Sequence, residues 1–431
     1  MHGVHGVHGV HGVHGVHGVH GVHGVTPPGE EQLDPAGRGR RQALHDVASA
    51  TAATVAGSFT VFLVGSLAVQ MRGSLHFGTA ALGLAVSVYY LGASLGSVPF
   101  GRLAESVGGV RVMRIAAFAA AAVQLLVGLV ASSWGVLVGL LFVAGLVSSA
   151  IQPAANLFLA RRTPPGRQGL AFGFKQAAVP FAALCGGVAV PTLALTVGWR
   201  WAFGLAACLA AAAALAVPRP RTSLAERRSR PVSTPAPGTL RPLAILAVGF
   251  GLGVFAATGM TAFIVTSAVH DGLSSSSAGL LAALGGAVAI VGRLVAGARA
   301  DRRGGAHFVA VATMLAVGSV GYAAVAVGSA AALPGLYVLG ALLAYGAGWG
   351  WNGVFNFAVV RSHPDAPARA TSITQVGGRL AGALGPVTFG LVAAHWSFGA
   401  AWALDGAAAL GAALVIVAGR AALVRHRSAL A

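Results

Sequence analysis

The sequence predicts an all-α polytopic membrane protein, with twelve spanning helices in two related six-helix halves. Three observations predict it. Apolar residues fall into twelve long runs, basic residues crowd into alternate gaps between the runs, and matched polar residues recur about 200 positions apart. Apolar residues make up 56% of the chain and charged residues only 9%. A soluble domain carries about 25% charged residues to cover its surface. Lipid must therefore solvate much of this one. The 63 glycines and 7% aromatics suit helices that pack closely through small residues.

Before the first run, residues 2–25 are eight copies of His-Gly-Val. Such a tract cannot bury a core. Residues 1–45 are expected to form a disordered tail, excluded from the fold. Eight histidines would hold a metal loosely; the plainer reading is a replicated short repeat. The tract lacks the continuous apolar stretch of a signal peptide.

A spanning helix needs about 20 mostly apolar residues. The runs are 48–71, 79–101, 111–131, 134–159, 169–194, 199–217, 243–268, 277–298, 306–328, 333–359, 370–393 and 397–418. The longest polar gap is 218–242, rich in Pro, Ser and Arg. It reads as a linker between bundles at 46–217 and 243–419, with a tail at 420–431. Cys185 and Cys208 lie inside apolar runs and read as packing residues, not a disulfide.

Orientation follows from the basic residues. Alternate gaps and both ends carry 23 Arg, the other gaps only Arg72 and Arg200. Lys175, Arg293 and Arg379 lie within runs. Positive residues stay inside, so both termini are expected on the cytoplasmic side of the cell membrane. A net charge of +18 in a soluble chain would suggest nucleic acid. Here its placement beside apolar runs argues for a lipid bilayer and against a nucleic-acid partner.

The halves repeat. Gly101-Arg102-Leu103-Ala104-Glu105-Ser106-Val107-Gly108-Gly109 follows the second run. Gly297-Ala298-Arg299-Ala300-Asp301-Arg302-Arg303-Gly304-Gly305 follows the eighth. Both fit G-x-x-A-acid-x-x-G-G at an offset of 196. In the fourth and tenth runs Gln152 meets Asn352, Asn156 meets Asn356, Arg161 meets Arg361 and Pro164 meets Pro364, all 200 apart. Gln176 meets Gln375, and Trp201 meets Trp402. Two parallel repeats about an axis along the membrane normal form a transporter architecture.

These residues resemble the major facilitator superfamily, whose loop signature runs roughly G-x-L-A-D-R-x-G-R-K-R. Residues 101–111 follow it, with Glu105 for the usual acid, Ser106, Gly109 and Val110 at basic positions, and Arg111 retained. Asp301, Arg302 and Gly304 keep more of it. Gly198-Trp199-Arg200-Trp201-Ala202-Phe203 is similar to the family's entrance to the sixth helix. The resemblance covers about 45–420 and implies alternating access. It also implies gating by Gly101, Arg102, Glu105, Gly108, Arg111, Gly297, Asp301, Arg302 and Gly304, whose charges would shut the cytoplasmic side. The plainer reading is a solvated turn.

In the resembled fold the first and fourth helices of each half line the cavity. Gln152 and Asn156 are four apart, so they share a helix face, as do Asn352 and Asn356. Polar residues in hydrocarbon are costly and often functional. The substrate-binding candidates are Gln152, Asn156, Lys175, Gln176, Asn352, Asn356, Gln375 and Arg379. Packing hydrogen bonds are the alternative for the amides. Lys175, the sole lysine, either snorkels to the interface or attracts an anion. Arg379 and Asp405 fall at similar depth on consecutive antiparallel runs and are expected to form an ion pair, or to serve substrate or proton. Arg293 is expected to reach the cytoplasmic loop. Gly385-Pro386 loosely resembles a motif of antiporter-type members.

The sequence thus predicts a monomeric secondary transporter of a small organic solute, without cofactor or bound metal, coupled to protons or another gradient. No G-x-x-x-x-G-K-[ST] loop for ATP is present. An organic anion fits Lys175, Arg379 and the four amides; export of a lipophilic compound against protons fits the apolar walls. A membrane enzyme would need clustered acids or histidines, and the seven His beyond the tract are scattered. A non-transporting sensor is the remaining alternative.

Overall fold

The computed structural model describes residues 35–163, 168–219, 240–302, 307–363 and 367–428. The His-Gly-Val tract, most of the linker, Pro164, Gly304 and Pro364 lie outside the described residues. Gln42–Ala431 form one compact unit. Met1–Arg41 form another, of which only the helical stretch from Pro35 is described.

All the regular structure among the described residues is helical: α1 (Pro35–Leu75), α2 (Thr79–Val107), α3 (Gly109–Val130), α4 (Trp134–Arg162), α5 (Gln168–Ala189), α6 (Trp199–Ala216), α7 (Leu240–His270), α8 (Ser275–Arg302), α9 (His307–Ala330), α10 (Pro334–Leu343), α11 (Asn352–Ser362), α12 (Pro367–His395) and α13 (Phe398–Ser428). The first helix begins upstream of the expected boundary at residue 46. Proline is tolerated at a helix start, where its missing N–H would have had no partner, and Ala, Arg, Gln and Leu carry the helix onward.

Among the described residues, eleven helices are long and apolar enough to span a bilayer. The remaining predicted span, 333–359, is broken. Helix α10 passes into a π-helical turn at Ala344–Gly348, and α11 starts only at Asn352. Close packing accounts for the break. A Cβ on Gly348 would crowd the Tyr322 ring, and one on Gly318 would stand 2.4 Å from the Gly348 Cα. Thus α12 and α13 are the eleventh and twelfth spans.

Glycine also sets two turns. Gly108 (φ 100°) reverses the chain between α2 and α3 in one residue, and Gly198 (φ 101°) does so before α6. L side chains rarely adopt that conformation.

In the first half α4 packs on α2 and α3, and α3 on α6. In the second, α7 packs on α12 and α13, and α13 on α9. The halves meet through α2 against α12 and α5 against α8. Glycines make these crossings tight. A Cβ on Gly83 would lie 2.3 Å from the Pro386 carbonyl oxygen, and one on Gly187 2.4 Å from the Ala283 amide. The Gly385-Pro386 pair therefore serves as a packing point between the halves. These approaches lie toward the end of the bundle opposite the arginine-rich loops.

Candidate functional site: a cavity between the halves

A cavity of about 160 Å³ lies where the halves meet. Its walls include Phe62 of α1, Tyr90 of α2, Val179 of α5 and Thr258 of α7, together with Trp349, Trp351 and Asn352 of the broken span. The break brings both indoles to one wall. Phe62 and Trp349 stand 5.9 Å apart by ring centroid. Gly253 makes room for Trp351, since a Cβ there would come within 2.5 Å of its ring.

Two hydrogen-bonded polar clusters lie in the spans, one in each half, and the second reaches the cavity through Asn352. In the first half Lys175 is buried and its Nζ donates to Gln152 Oε1. Lys175 therefore does not snorkel. In the second half Gln375 Nε2 donates to Asn356 Oδ1 at 3.0 Å, and Asn356 Nδ2 donates to Asn352 Oδ1 at 3.0 Å. Five of the eight candidate binding residues thus form two hydrogen-bonded groups, and Asn352 reaches the cavity wall. Asn156 is exposed and joins neither group.

Arg379 is exposed too, with Ser94 Oγ 3.5 Å from its backbone carbonyl. The expected ion pair with Asp405 is absent. Asp405 is fully buried, and a Cβ on Gly259 of α7 would touch its Oδ2 at 2.4 Å. The expectation assumed that consecutive spans face each other. Instead α13 packs chiefly on α9 and α7, while α12 turns toward α2 and α7. The two side chains therefore point different ways.

Arg293 also departs from expectation. It does not reach the loop. Its guanidinium donates to the Gln176 carbonyl of the other half at 2.9 Å and to the Trp349 carbonyl at 3.2 Å, and lies 4.9 Å from the centre of the Trp349 ring. Its position nine residues before the end of α8 is about 14 Å deep at 1.5 Å per residue. Counting from that end would have flagged it. Gln176 thus contributes its backbone carbonyl to the contact between the halves.

The loop residues divide. Arg102, Glu105 and Arg111 are exposed, and no ion pair engages them among the described residues. Gly108 makes the turn, and Gly109 lets α3 approach α4, where a Cβ would lie 2.8 Å from the Ala154 carbonyl. Gly101 and Gly297 have open space where a Cβ would stand. Asp301 and Arg302 end α8, and their side chains lie outside the described residues. An unforeseen ion pair at this end joins α1 to α4, with Arg162 3.4 Å from buried Asp46.

Twelve spans, two halves meeting through glycine-lined crossings and a largely apolar cavity between them are the architecture of a secondary transporter. A family model of the Major Facilitator Superfamily matches residues 50–364, and the chain belongs to that superfamily. Among solved structures, it is similar to a D-xylose–proton symporter, with a TM-score of 0.70 and 16% identity over 86% of this chain and 97% of that one. It is also similar to a bacterial homologue of the human lysosomal transporter Spinster in an inward-facing, unoccupied conformation. There the TM-score is 0.64 and the identity 16%, over 88% of this chain and 96% of that one. No curated protein sequence matches it.

Proposed function

We propose that this transporter carries a small organic anion across the cell membrane by rocking its halves about the central cavity. Two cations inside the spans support this reading: buried Lys175, one turn of α5 from the lining residue Val179, and Arg293, bonded to the carbonyl of the lining residue Trp349. Lys175 comes from one half and Arg293 from the other, and neither is paired to a carboxylate among the described residues. Buried charge normally requires a counter-charge, and an anionic solute supplies one. The amides of Asn352, Asn356 and Gln375 add hydrogen-bond partners, and Arg379 adds positive charge near the α2–α12 crossing.

The arginine-rich end is taken as cytoplasmic from the positive-inside rule. The described hydrogen bonds between the halves, made by Ser87, Ser94 and Arg293, all lie away from that end. Glu105 and Arg102 are exposed there and form no ion pair among the described residues. On this reading the state is inward-open, and the exposed charges of Arg102 and Glu105 pair when the halves rock the other way.

The test is a thermal-shift screen of purified protein against mono-, di- and tricarboxylates and apolar amines, followed by proteoliposome flux of any hit. Stabilisation by a carboxylate, lost in Lys175→Met, supports the reading. A second reading, export of a lipophilic compound, draws on the aromatic wall of Phe62, Tyr90, Trp349 and Trp351. Stabilisation by apolar amines alone would favour it and sink the anion.

A further inference from the structure

The cavity between the halves has the size of one ring. Its volume is about 160 Å³, and an engineered apolar cavity of about 150 Å³ in another protein takes up benzene. Four aromatic side chains stand in its wall: Phe62, Tyr90, Trp349 and Trp351. Each is held by its neighbours. Phe62 and Trp349 form a tilted pair at 52°. Trp351 stands edge-on to Phe250 at 79°, and its Nε1 donates to the Gly348 carbonyl at 2.8 Å, so it offers the cavity only carbon. Tyr90 stands edge-on to Tyr89 and packs on Gly382 of the other half, where a Cβ would lie 3.1 Å from the Tyr90 ring. Aromatic rings prefer offset or edge-to-face partners over a flat sandwich, and tilted walls meet a guest ring in those ways.

The free polar groups of this wall are mostly donors. Thr258 and Thr261 use their hydroxyls on carbonyls of their own helix. Asn352 Oδ1 accepts from Asn356, and the Asn352 amide nitrogen meets no acceptor among the described residues. The Tyr90 hydroxyl and the Trp349 indole N–H meet none there either, whereas the adjacent Tyr89 hydroxyl donates to the Gly57 carbonyl at 3.2 Å. The described wall contains no Asp or Glu, so an ammonium placed in it would lack a counter-charge. A carboxylate would find donors, with the positive charge of Lys175 and Arg293 close to the wall. Most of the remaining wall is carbon, where a second carboxylate would lose water without gaining a donor.

We propose that the solute is an aromatic monocarboxylate of one ring, with the size and charge of benzoate. The ring lies against Phe62, Trp349 and Trp351, and the carboxylate accepts from the donors that the wall leaves free, those of Tyr90 and Asn352 among them. The inference rests on the anion reading and adds the ring to it. The aromatic wall and the nearby cations then serve one molecule.

The test is a calorimetric titration of full-length protein in detergent with benzoate, cyclohexanecarboxylate, succinate and benzylamine. Benzoate is expected to bind. Cyclohexanecarboxylate keeps the charge but has no π face, and is expected to bind about threefold to tenfold more weakly. Succinate is expected to bind more weakly still, and benzylamine not at all. Equal affinity for benzoate and cyclohexanecarboxylate, or tighter binding of succinate, overturns the ring and leaves the anion reading standing. Benzylamine binding as tightly as benzoate overturns the anion reading and this inference with it. Absence of benzoate binding at millimolar concentration overturns the inference as well. Tyr90→Phe keeps the ring on Gly382 and is expected to weaken benzoate binding about tenfold or more. Tyr89→Phe, which removes a hydroxyl already bonded to Gly57, is expected to leave it unchanged. Equal effects of the two substitutions overturn the placement of the carboxylate. The wild-type series decides the ring even where a variant fails to fold.

Discussion

The two halves share a plan but treat their buried polar groups differently. In the first half Gln124 of α3 is fully buried and donates to the Ala56 carbonyl of α1 at 2.8 Å. Helices α3 and α9 begin 198 residues apart, so Gln124 corresponds to Tyr322, whose hydroxyl is orphaned. The entrances to the sixth and twelfth spans also correspond. Trp199 Nε1 donates to Ser74 Oγ of α1 at 3.1 Å, as Trp402 Nε1 does to Ser267 of α7. On that alignment Asp405 replaces buried Ala202. At these matched positions the first half uses one amide nitrogen of Gln124 for an interhelical bond and leaves only its Oε1 unpartnered, whereas the second leaves both the acid and the phenol without any partner. An unsatisfied buried group is costly, so the second arrangement costs the bundle more.

Breaking the cavity should have the largest effect. Lys175→Met is expected to lower anion flux about tenfold or more, because a hydrogen bond to a charged group contributes roughly 1.5–3 kcal/mol. Asn356→Ala, on the opposite cluster, should lower it less, since Gln375 and Asn352 keep their own positions. Equal losses in proteoliposome flux would deny that the charged cluster dominates.

Stability should separate the halves next. Gln124→Leu leaves the Ala56 carbonyl without its interhelical partner and should destabilise by about 0.6–2 kcal/mol. Tyr322→Phe removes no bond and should stay within about 0.5 kcal/mol. Chemical unfolding in detergent reads both; a larger loss from Tyr322→Phe would show that its hydroxyl is structural.

The matched tryptophans give a smaller contrast. Ser267 is fully buried and Ser74 exposed, so Trp402→Phe should cost more than Trp199→Phe, by up to about 1 kcal/mol. A reversed order in thermal melts would break the correspondence. Smallest of all, Glu105→Gln should leave stability within about 0.5 kcal/mol while shifting the distance distribution between spin labels at the exposed positions Leu103 and Val360 toward the inward-open state. An unchanged distribution would reduce the signature loop to a solvated turn.

Much of this molecule was legible in its residues. Run length and the 200-residue repeat are local or additive properties, and a bilayer reads the first directly as length against thickness. Matched amides single out Gln152, Asn156, Asn352 and Asn356 because a helix places residues four apart on one face; three of them join hydrogen-bonded groups and Asn156 does not. What a helix faces is a different matter. Order along the chain predicts that consecutive spans are neighbours, hence an Arg379–Asp405 pair, and nothing in it reveals that Arg293 turns toward Gln176 and Trp349. The repeat in the entrance motif was set on Trp201, which is 66% exposed, whereas Trp199 makes the matching bond. The break at Ala344–Gly348 arises from glycine contacts with α9, and no local pattern specifies it.

The sequence by itself determined the solvent, the span number, the repeat and the family, because each depends on composition or on order along the chain. Only the tertiary structure decided which helix faces which. That put Arg293 against Trp349 of the cavity wall, Lys175 against Gln152, and Asp405 against Gly259. The physical reason is that rotation of a helix about its axis is chosen by close packing, here by glycines such as Gly83, Gly187 and Gly259 meeting particular neighbours, and lipid offers no hydrophobic gradient to choose it otherwise.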